Sequence, residues 1–297
     1  MSTANRKQVA KPQHDAIQPN FLFIGAAKCG SSSIRGLLRQ HPDLFVPSAG
    51  REIRFFAIDE LYARGIEWYL EFFRGSEHSV ARGECSNHYT ECDTWPNASR
   101  RIADCLPEAR LIYAVREPLD RIRSFWMELR SHGGETVHHS FSTALRSNQG
   151  RLIGSSDYRR QLSHYLTWCP RERIHVMFFE DFKNQPAAEI RKCWEFLGLD
   201  RLVPCGLEQG EAWKNPSEGK KHAPSWLSRL RRNRIYTALA ARLPKPLRRQ
   251  GKRLIFADLE RPVYSPADRR FVLDRIGPNC REFLEEWGKP LDFWDVD

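Results

Sequence analysis

Residues 21 to 36 read Phe21-Leu22-Phe23-Ile24-Gly25-Ala26-Ala27-Lys28-Cys29-Gly30-Ser31-Ser32-Ser33-Ile34-Arg35-Gly36. The apolar run Phe21–Ile24 is a buried strand by pattern. Helical spacing begins at Ile34 and continues through Leu37 and Leu38. Between them lies a glycine-bounded loop with one lysine and three serines. A strand, such a loop and a helix N-terminus together form an anion cradle. The first helical turn presents N–H groups without intrahelical acceptors, and the helix dipole adds partial positive charge. Gly25 and Gly30 permit tight backbone paths. Ser31, Ser32 and Ser33 offer hydroxyls, and Lys28 offers a full charge. The expected ligand is a phosphate or sulfate ester; the bland alternative is an ordinary strand-to-helix turn.

Two familiar phosphate loops fail on spacing. The Walker pattern sets its lysine after the second glycine, whereas Lys28 precedes Gly30. The dinucleotide fingerprint needs a glycine where Ala27 stands. The form GxxKxGSSS instead resembles the 5′-phosphosulfate loop of sulfotransferases, which use 3′-phosphoadenosine 5′-phosphosulfate (PAPS). That resemblance carries Lys28, Cys29, Gly30, Ser31, Ser32 and Ser33 onto the cofactor-binding loop.

The chain has 297 residues, 41% of them apolar, enough for a sizeable core. No run approaches the roughly 18 apolar residues of a membrane span. Residues 1–19 are polar, lack a signal-peptide core, and read as a disordered tail ahead of one domain over 20–297. The eight cysteines show no CxxC and no paired Cys/His spacing. This argues against a zinc site and suits a reducing, cytoplasmic setting. Cys193 and Cys205 are read as small buried thiols rather than a pair. Net charge is +10, and the segment 219–253 holds twelve Lys or Arg and no Asp or Glu. Such a run suits an anionic ligand, polysaccharide or surface. It also suits a solvated face over a packed helix.

Further strands are expected at Leu44–Val46, Ser79–Ser86, Arg110–Val115 and Arg173–Phe179. Helices are expected near 65–73, after Pro118, and over 158–168, 187–197 and 266–287. Residues 131–157 read as an excursion over the surface. Alternating strands and helices predict an α/β fold with a mainly parallel sheet and helices on both faces. Ligands in such sheets sit beyond the carboxyl ends of strands. Gly25, Glu84 and Arg116 fall at three such ends.

Arg116 and Ser124 lie eight residues apart across a strand–helix turn, placed to hold one phosphate from two sides. The stretch RLIYAVREPLDRIRSFW (110–126) resembles the 3′-phosphate motif of sulfotransferases, with Arg116 and Ser124 on its binding positions. A structural ion pair is the alternative for Arg116. REIRFF, GIEWYLEFF, GECSNHY, DYRRQLSHYLTW and MFFEDFKNQP…FLGL follow in the order seen in PAPS-dependent carbohydrate sulfotransferases. The likeness is to the heparan sulfate N- and 3-O-sulfotransferase type and its bacterial relatives, and it runs from about residue 20 to the end. It implies Glu84 of Gly83-Glu84-Cys85-Ser86 as catalytic base, with Cys85 where the family commonly has Lys. A strand-end salt bridge with Arg82 is the alternative for Glu84. His88 is a second candidate base, by likeness to hormone- and drug-conjugating sulfotransferases. Lys220 and Lys221 loosely resemble a basic loop that closes over the cofactor.

The expected reaction is in-line sulfuryl transfer from PAPS to a hydroxyl or amine of a small-molecule or glycan acceptor. Lys28 stabilises the leaving phosphate, and no metal is called for. Segments 51–75 and 131–157 are expected to shape the acceptor site. Two other classes remain: a P-loop nucleotide kinase, and a polyanion or nucleic-acid binder using 219–253. The first lacks the Walker lysine and has Arg116 where an Asp for magnesium is usual. The second lacks interleaved aromatics apart from Trp226 and Tyr236, so no specific nucleic acid is expected.

Overall fold

The apolar run at the start of the chain forms β1 (Phe21–Gly25), every residue of it buried. The computed structural model describes residues 17–47, 52–131, 140–206, 221–222, 257–258 and 260–296. In chain order, α1 (Ser31–Leu38), β2 (Leu44–Phe45), α2 (Asp59–Tyr62) and α3 (Ile66–Leu70) come first. They are followed by β3 (Ala81–Cys85), α4 (Ala98–Cys105), β4 (Arg110–Val115) and α5 (Pro118–Ser131). Next come α6 (Phe141–Ser147), α7 (Gln149–Leu152), α8 (Tyr158–Leu166) and β5 (Ile174–Phe178). The remainder is α9 (Phe179–Asn184), α10 (Pro186–Phe196), β6 (Lys221–His222), β7 (Ala257–Asp258) and α11 (Pro266–Glu286).

Five strands make one sheet in the order β2-β3-β1-β4-β5, and every pairing within it is parallel. Phe21–Phe23 align with Gly83–Cys85 on one side and with Arg110–Ile112 on the other. The three segments expected to share a parallel sheet do so. β1 and β4 carry almost nothing but buried side chains. Strands buried on both faces need a covering layer on each, which the intervening helices supply. Phe21, Phe23, Tyr113 and Trp194 are among the largest fully buried side chains. Burying a phenylalanine such as Phe21 or Phe23 stabilises the fold by about 1.5–3 kcal/mol.

The order places β1 where the chain reverses direction across the sheet. The chain builds outward from β1 to β2 and β3, then crosses to β4 and β5 on the other side. A crevice opens at such a point beyond the strand carboxyl ends. The loop after β1 occupies it.

The expectation for 131–157 is corrected over its described part. Residues 140–157 are not a surface excursion. They fold into α6, α7 and a turn of 3-10 helix, and Phe141, Ala144, Leu145, Leu152 and Ile153 join the core. Ser140 caps α6 by accepting from the Thr143 N–H. The glycines and serines that suggested a loop instead mark helix ends and a close approach to α5. Residues 1–16, 132–139 and most of 219–253, including Lys220, lie outside the described residues, and with them most of the tail and of the basic run.

At the carboxyl end, α11 packs on α8, where Arg159 pairs with Glu282 at 3.0 Å and Glu286 at 2.8 Å. All eight cysteines are free, with Cys193 and Cys205 both buried. Among the described residues, no helix is long and apolar enough to cross a membrane.

Candidate active site

The loop has the backbone that its glycines anticipate. Gly25 has φ +139°, and a Cβ there would meet Thr90 Oγ1 at 2.1 Å. Gly30 has φ +83° and caps α1 without a side chain. Its carbonyl accepts from the Ser33 and Ile34 N–H groups at 3.0 Å each. The preceding N–H groups of the first turn are left for a ligand. Lys28 itself has φ +73°. Among described non-glycine residues only Arg54 shares a left-handed backbone, at +59°. Both of these strained residues line the same cleft. Strain held in place at a cleft is a mark of function rather than of accident.

The cleft has two overlapping lobes of about 470 and 550 Å³. They share Ser31, Ser32, Glu52, Arg54, Asn87 and His88. Arg35 and Cys85 complete the first; Lys28, Phe125, Glu128 and Arg151 are among those completing the second. One wall is therefore the anion loop. The opposite wall comes from the segment after β2 and the turn after β3. Segments 51–75 and 131–157 both reach this space, through Glu52, Arg54 and Arg151.

On the opposite wall a carboxylate and an imidazole form a pair. Glu52 Oε2 lies 2.8 Å from His88 Nδ1, and both side chains are 22% exposed. Glu52 Oε1 accepts from the Asn87 amide, which also donates to Ser31 Oγ at 3.1 Å. With Nδ1 as the donor to Glu52, the Nε2 lone pair is left for another partner. Asn87 ties the pair to the anion loop.

Glu84 is elsewhere. It is 2% exposed and not on the cleft wall. Ser86 Oγ donates to its Oε2 at 2.6 Å, and the Tyr89 hydroxyl donates to Oε1. Burial pushes its pKa up to about 7 against these two hydrogen bonds. The value would suit a general base, but the carboxyl does not line the cleft. The strand-end alternative fails as well, because Arg82 turns to the Ser79 carbonyl. What Glu84 does is indirect. The Ser86 hydroxyl that it accepts from also receives the Arg54 N–H at 3.0 Å. The buried carboxyl thus anchors the segment that carries Glu52 and Arg54. Leu22 pairs with Glu84 in the sheet, and the next residue, Cys85, faces the cleft instead. Alternation along a strand decides this.

The donor-side residues fare unevenly. Lys28, Ser31 and Ser32 line the cleft, with Lys28 Nζ on Glu128 Oε2 at 2.7 Å. Cys29 is buried in the core, where burial pushes its thiol up to about 11, so only its backbone serves the loop. Ser33 is half-buried and off the cleft wall. Arg116 and Ser124 also lie off it. Arg116 pairs with Asp120 at 3.1 Å, lies over the Phe179 ring and donates to the Lys28 carbonyl at 3.5 Å. The ion pair of the alternative reading is therefore present, alongside a link to the loop. Ser124 is half-buried on α5 beside Phe125, and the side-chain hydrogen bonds of Arg116 go to Lys28 and Asp120 rather than to it. Lys221 lies in β6, which runs against α5.

A model of the sulfotransferase domain matches residues 18–205, more than half of the chain. The chain belongs to the sulfotransferase family. It is 30% identical over 198 residues to the human bifunctional heparan sulfate N-deacetylase/N-sulfotransferase 2, covering 61% of this chain and 22% of that protein. It is 28% identical over 217 residues to the mouse heparan sulfate glucosamine 3-O-sulfotransferase 5, covering 69% and 60%. The chain thus spans about a fifth of the first relative and three fifths of the second. A sulfotransferase crystal structure from Alicyclobacillus acidocaldarius shares the fold, with a TM-score of 0.65 at 23% identity over 94% of this chain and 99% of that one. The family settles the class against the kinase and nucleic-acid alternatives.

Proposed function

We propose that this sulfotransferase moves the sulfuryl group of PAPS to a hydroxyl or amine of a carbohydrate acceptor. The Glu52–His88 pair receives the acceptor's proton. One observation carries the reading: an anion loop with Lys28 faces a carboxylate–imidazole pair across a single cleft. The family supports PAPS as donor, and the names of the two relatives support a glycan acceptor.

The acceptor oxygen or nitrogen attacks sulfur as its proton passes to His88 Nε2. Glu52 holds the imidazole at Nδ1 and stabilises the cation that forms, the arrangement used by carboxylate-oriented histidines in acyl transfer. The bond between sulfur and the bridging oxygen breaks, and its electrons stay on the 5′-phosphate. Lys28, released from Glu128, and the first-turn N–H groups of α1 meet that charge. Arg116 and Ser124 take the 3′-phosphate on the far side of the loop; Lys220, outside the described residues, and Lys221 remain cofactor-binding candidates by resemblance alone. Glu84 is moved from base to support in this reading. The free cysteines fit a reducing compartment.

The test is transfer of labelled sulfate from PAPS to desulfated glycosaminoglycans, amino sugars, lipids and phenols. Label in the carbohydrate fraction supports the proposal. Binding of ATP in preference to 3′-phosphoadenosine 5′-phosphate, with no label transferred, contradicts it.

A further inference from the structure

Arg121 is the one arginine among the described residues with no exposed surface at all. Among the described residues no carboxylate pairs with it. Its Nε donates to the Ala27 carbonyl at 3.1 Å. Its Nη1 reaches the Ser155 and Ser156 hydroxyls at 2.9 Å each and the Leu152 carbonyl at 3.4 Å. The guanidinium lies 4.9 Å over the Phe125 ring. Its Nη2, also buried, has no partner among the described residues. Every contact is to a neutral group.

A buried charge without a counter-ion costs several kcal/mol even after relaxation. Folds keep one only where something offsets it. The position of this one is telling. Ala27 and Lys28 are adjacent loop residues, and their carbonyls accept from Arg121 and Arg116 respectively. Two guanidiniums, one from the end of β4 and one from α5, draw successive carbonyls to the inner side of the loop. The outer side is left to N–H groups and the Lys28 ammonium. Arg121 also adds positive potential directly behind the cradle, in surroundings of low dielectric.

We propose that Arg121 is a positioning residue for the donor's 5′-phosphosulfate. It holds the Ala27–Lys28 backbone in its anion-binding form, and the counter-ion it lacks is the bound donor. This rests on the donor reading above. The residues 152–156 complete the device: their hydroxyls and carbonyl orient the guanidinium without neutralising it.

The experiment compares binding of 3′-phosphoadenosine 5′-phosphate and adenosine 3′-phosphate by calorimetry to wild type, Arg121→Gln and Arg121→Lys. The second ligand lacks the 5′ group. Circular dichroism and thermal melting establish that each variant is folded. Arg121→Gln should raise Kd for the bisphosphate tenfold or more and leave Kd for adenosine 3′-phosphate within twofold. Arg121→Lys keeps the charge but loses the fork, and should fall between. A residue that only supports the fold would lower the melting temperature and leave the ratio of the two Kd values unchanged, which would overturn the proposal. If Arg121→Gln does not fold, the Ser155→Ala, Ser156→Ala double variant keeps the arginine but frees it. It should raise the bisphosphate Kd several-fold, and an unchanged Kd would overturn the proposal. Wild type that binds neither ligand would overturn the donor reading first, and this one with it.

Discussion

The two walls of the cleft were made in different ways. The loop wall is one continuous stretch of chain, from Gly25 to Ser32, and its chemistry is in its order of residues. The opposite wall is assembled from Glu52 and Arg54 after β2 and from Asn87 and His88 after β3. No short pattern contains both halves. The comparison teaches that an anion cradle is a backbone device, legible from glycines and a lysine. A carboxylate–imidazole pair is a packing device, and only the register of neighbouring elements creates it.

Breaking the packed wall should have the largest effect. Glu52→Gln, His88→Gln and the double variant should each reduce kcat by about 10²-fold or more, the usual worth of positioned proton transfer. Because the two side chains act as a unit, the double variant should lose little beyond either single one. Additive losses in stopped-time sulfate transfer would mean two independent roles. Breaking the loop wall comes next. Lys28→Met should cost about 10²–10³-fold in kcat by removing a contact to developing charge. It should also weaken binding of 3′-phosphoadenosine 5′-phosphate. Equal affinity and turnover would remove Lys28 from the site.

A third change sharpens the comparison on the side away from the cleft. Arg116→Ala and Ser124→Ala should weaken PAPS and its desulfated product alike, since the 3′-phosphate is unchanged in the reaction. Calorimetry that finds both variants equal to wild type would leave Arg116 as no more than the partner of Asp120.

The last change is read in stability rather than in turnover. Burial pushes the Glu84 carboxyl in the folded chain up to about 7, above its ordinary value of 4.5. The folded state therefore holds the proton that the unfolded state releases between these values. Stability contributed by the protonated group is present below about pH 4.5 and is lost as pH rises through 7. The loss is on the order of 3 kcal/mol or less. Glu84→Gln should flatten that slope, so urea melts of variant and wild type should diverge between pH 5 and 8, with the variant gaining at the higher pH. Parallel curves would mean Glu84 is ionised throughout.

How much of this the sequence announced follows from the same contrast. Strands at 21–24, 110–115 and 173–179 and helices at 187–197 and 266–287 stand within about a residue or two of their places, because apolar runs and caps are local signals. Gly30 at the start of α1 and the serines after it were equally plain. Glu84 stands out in the sequence because it follows a glycine at a strand end, where ligands gather. The alternation of β3 sends it inward and brings Cys85 to the cleft. Residues 140–157 misled because Gly154, Ser155 and Ser156 look like loop. They are the polar shell of a buried arginine, and nothing in their spacing names Arg121 as its centre. Glu52 stood in a run of aromatics and charges, and its partnership with His88 spans 36 residues of chain.

The central claim is that the reacting proton leaves across the cleft to Glu52 and His88, with Glu84 behind them. Single-turnover transfer of labelled sulfate, with enzyme in excess over PAPS, measures the chemical step directly. Glu52→Gln should slow that step by about 10²-fold or more while the Kd for 3′-phosphoadenosine 5′-phosphate stays within a few-fold of wild type. Folded Glu84→Gln should stay within about tenfold of wild type, less than a positioned base is worth. A folded Glu84→Gln that is inactive beside a Glu52→Gln near wild-type rate would contradict the account and return the base to Glu84.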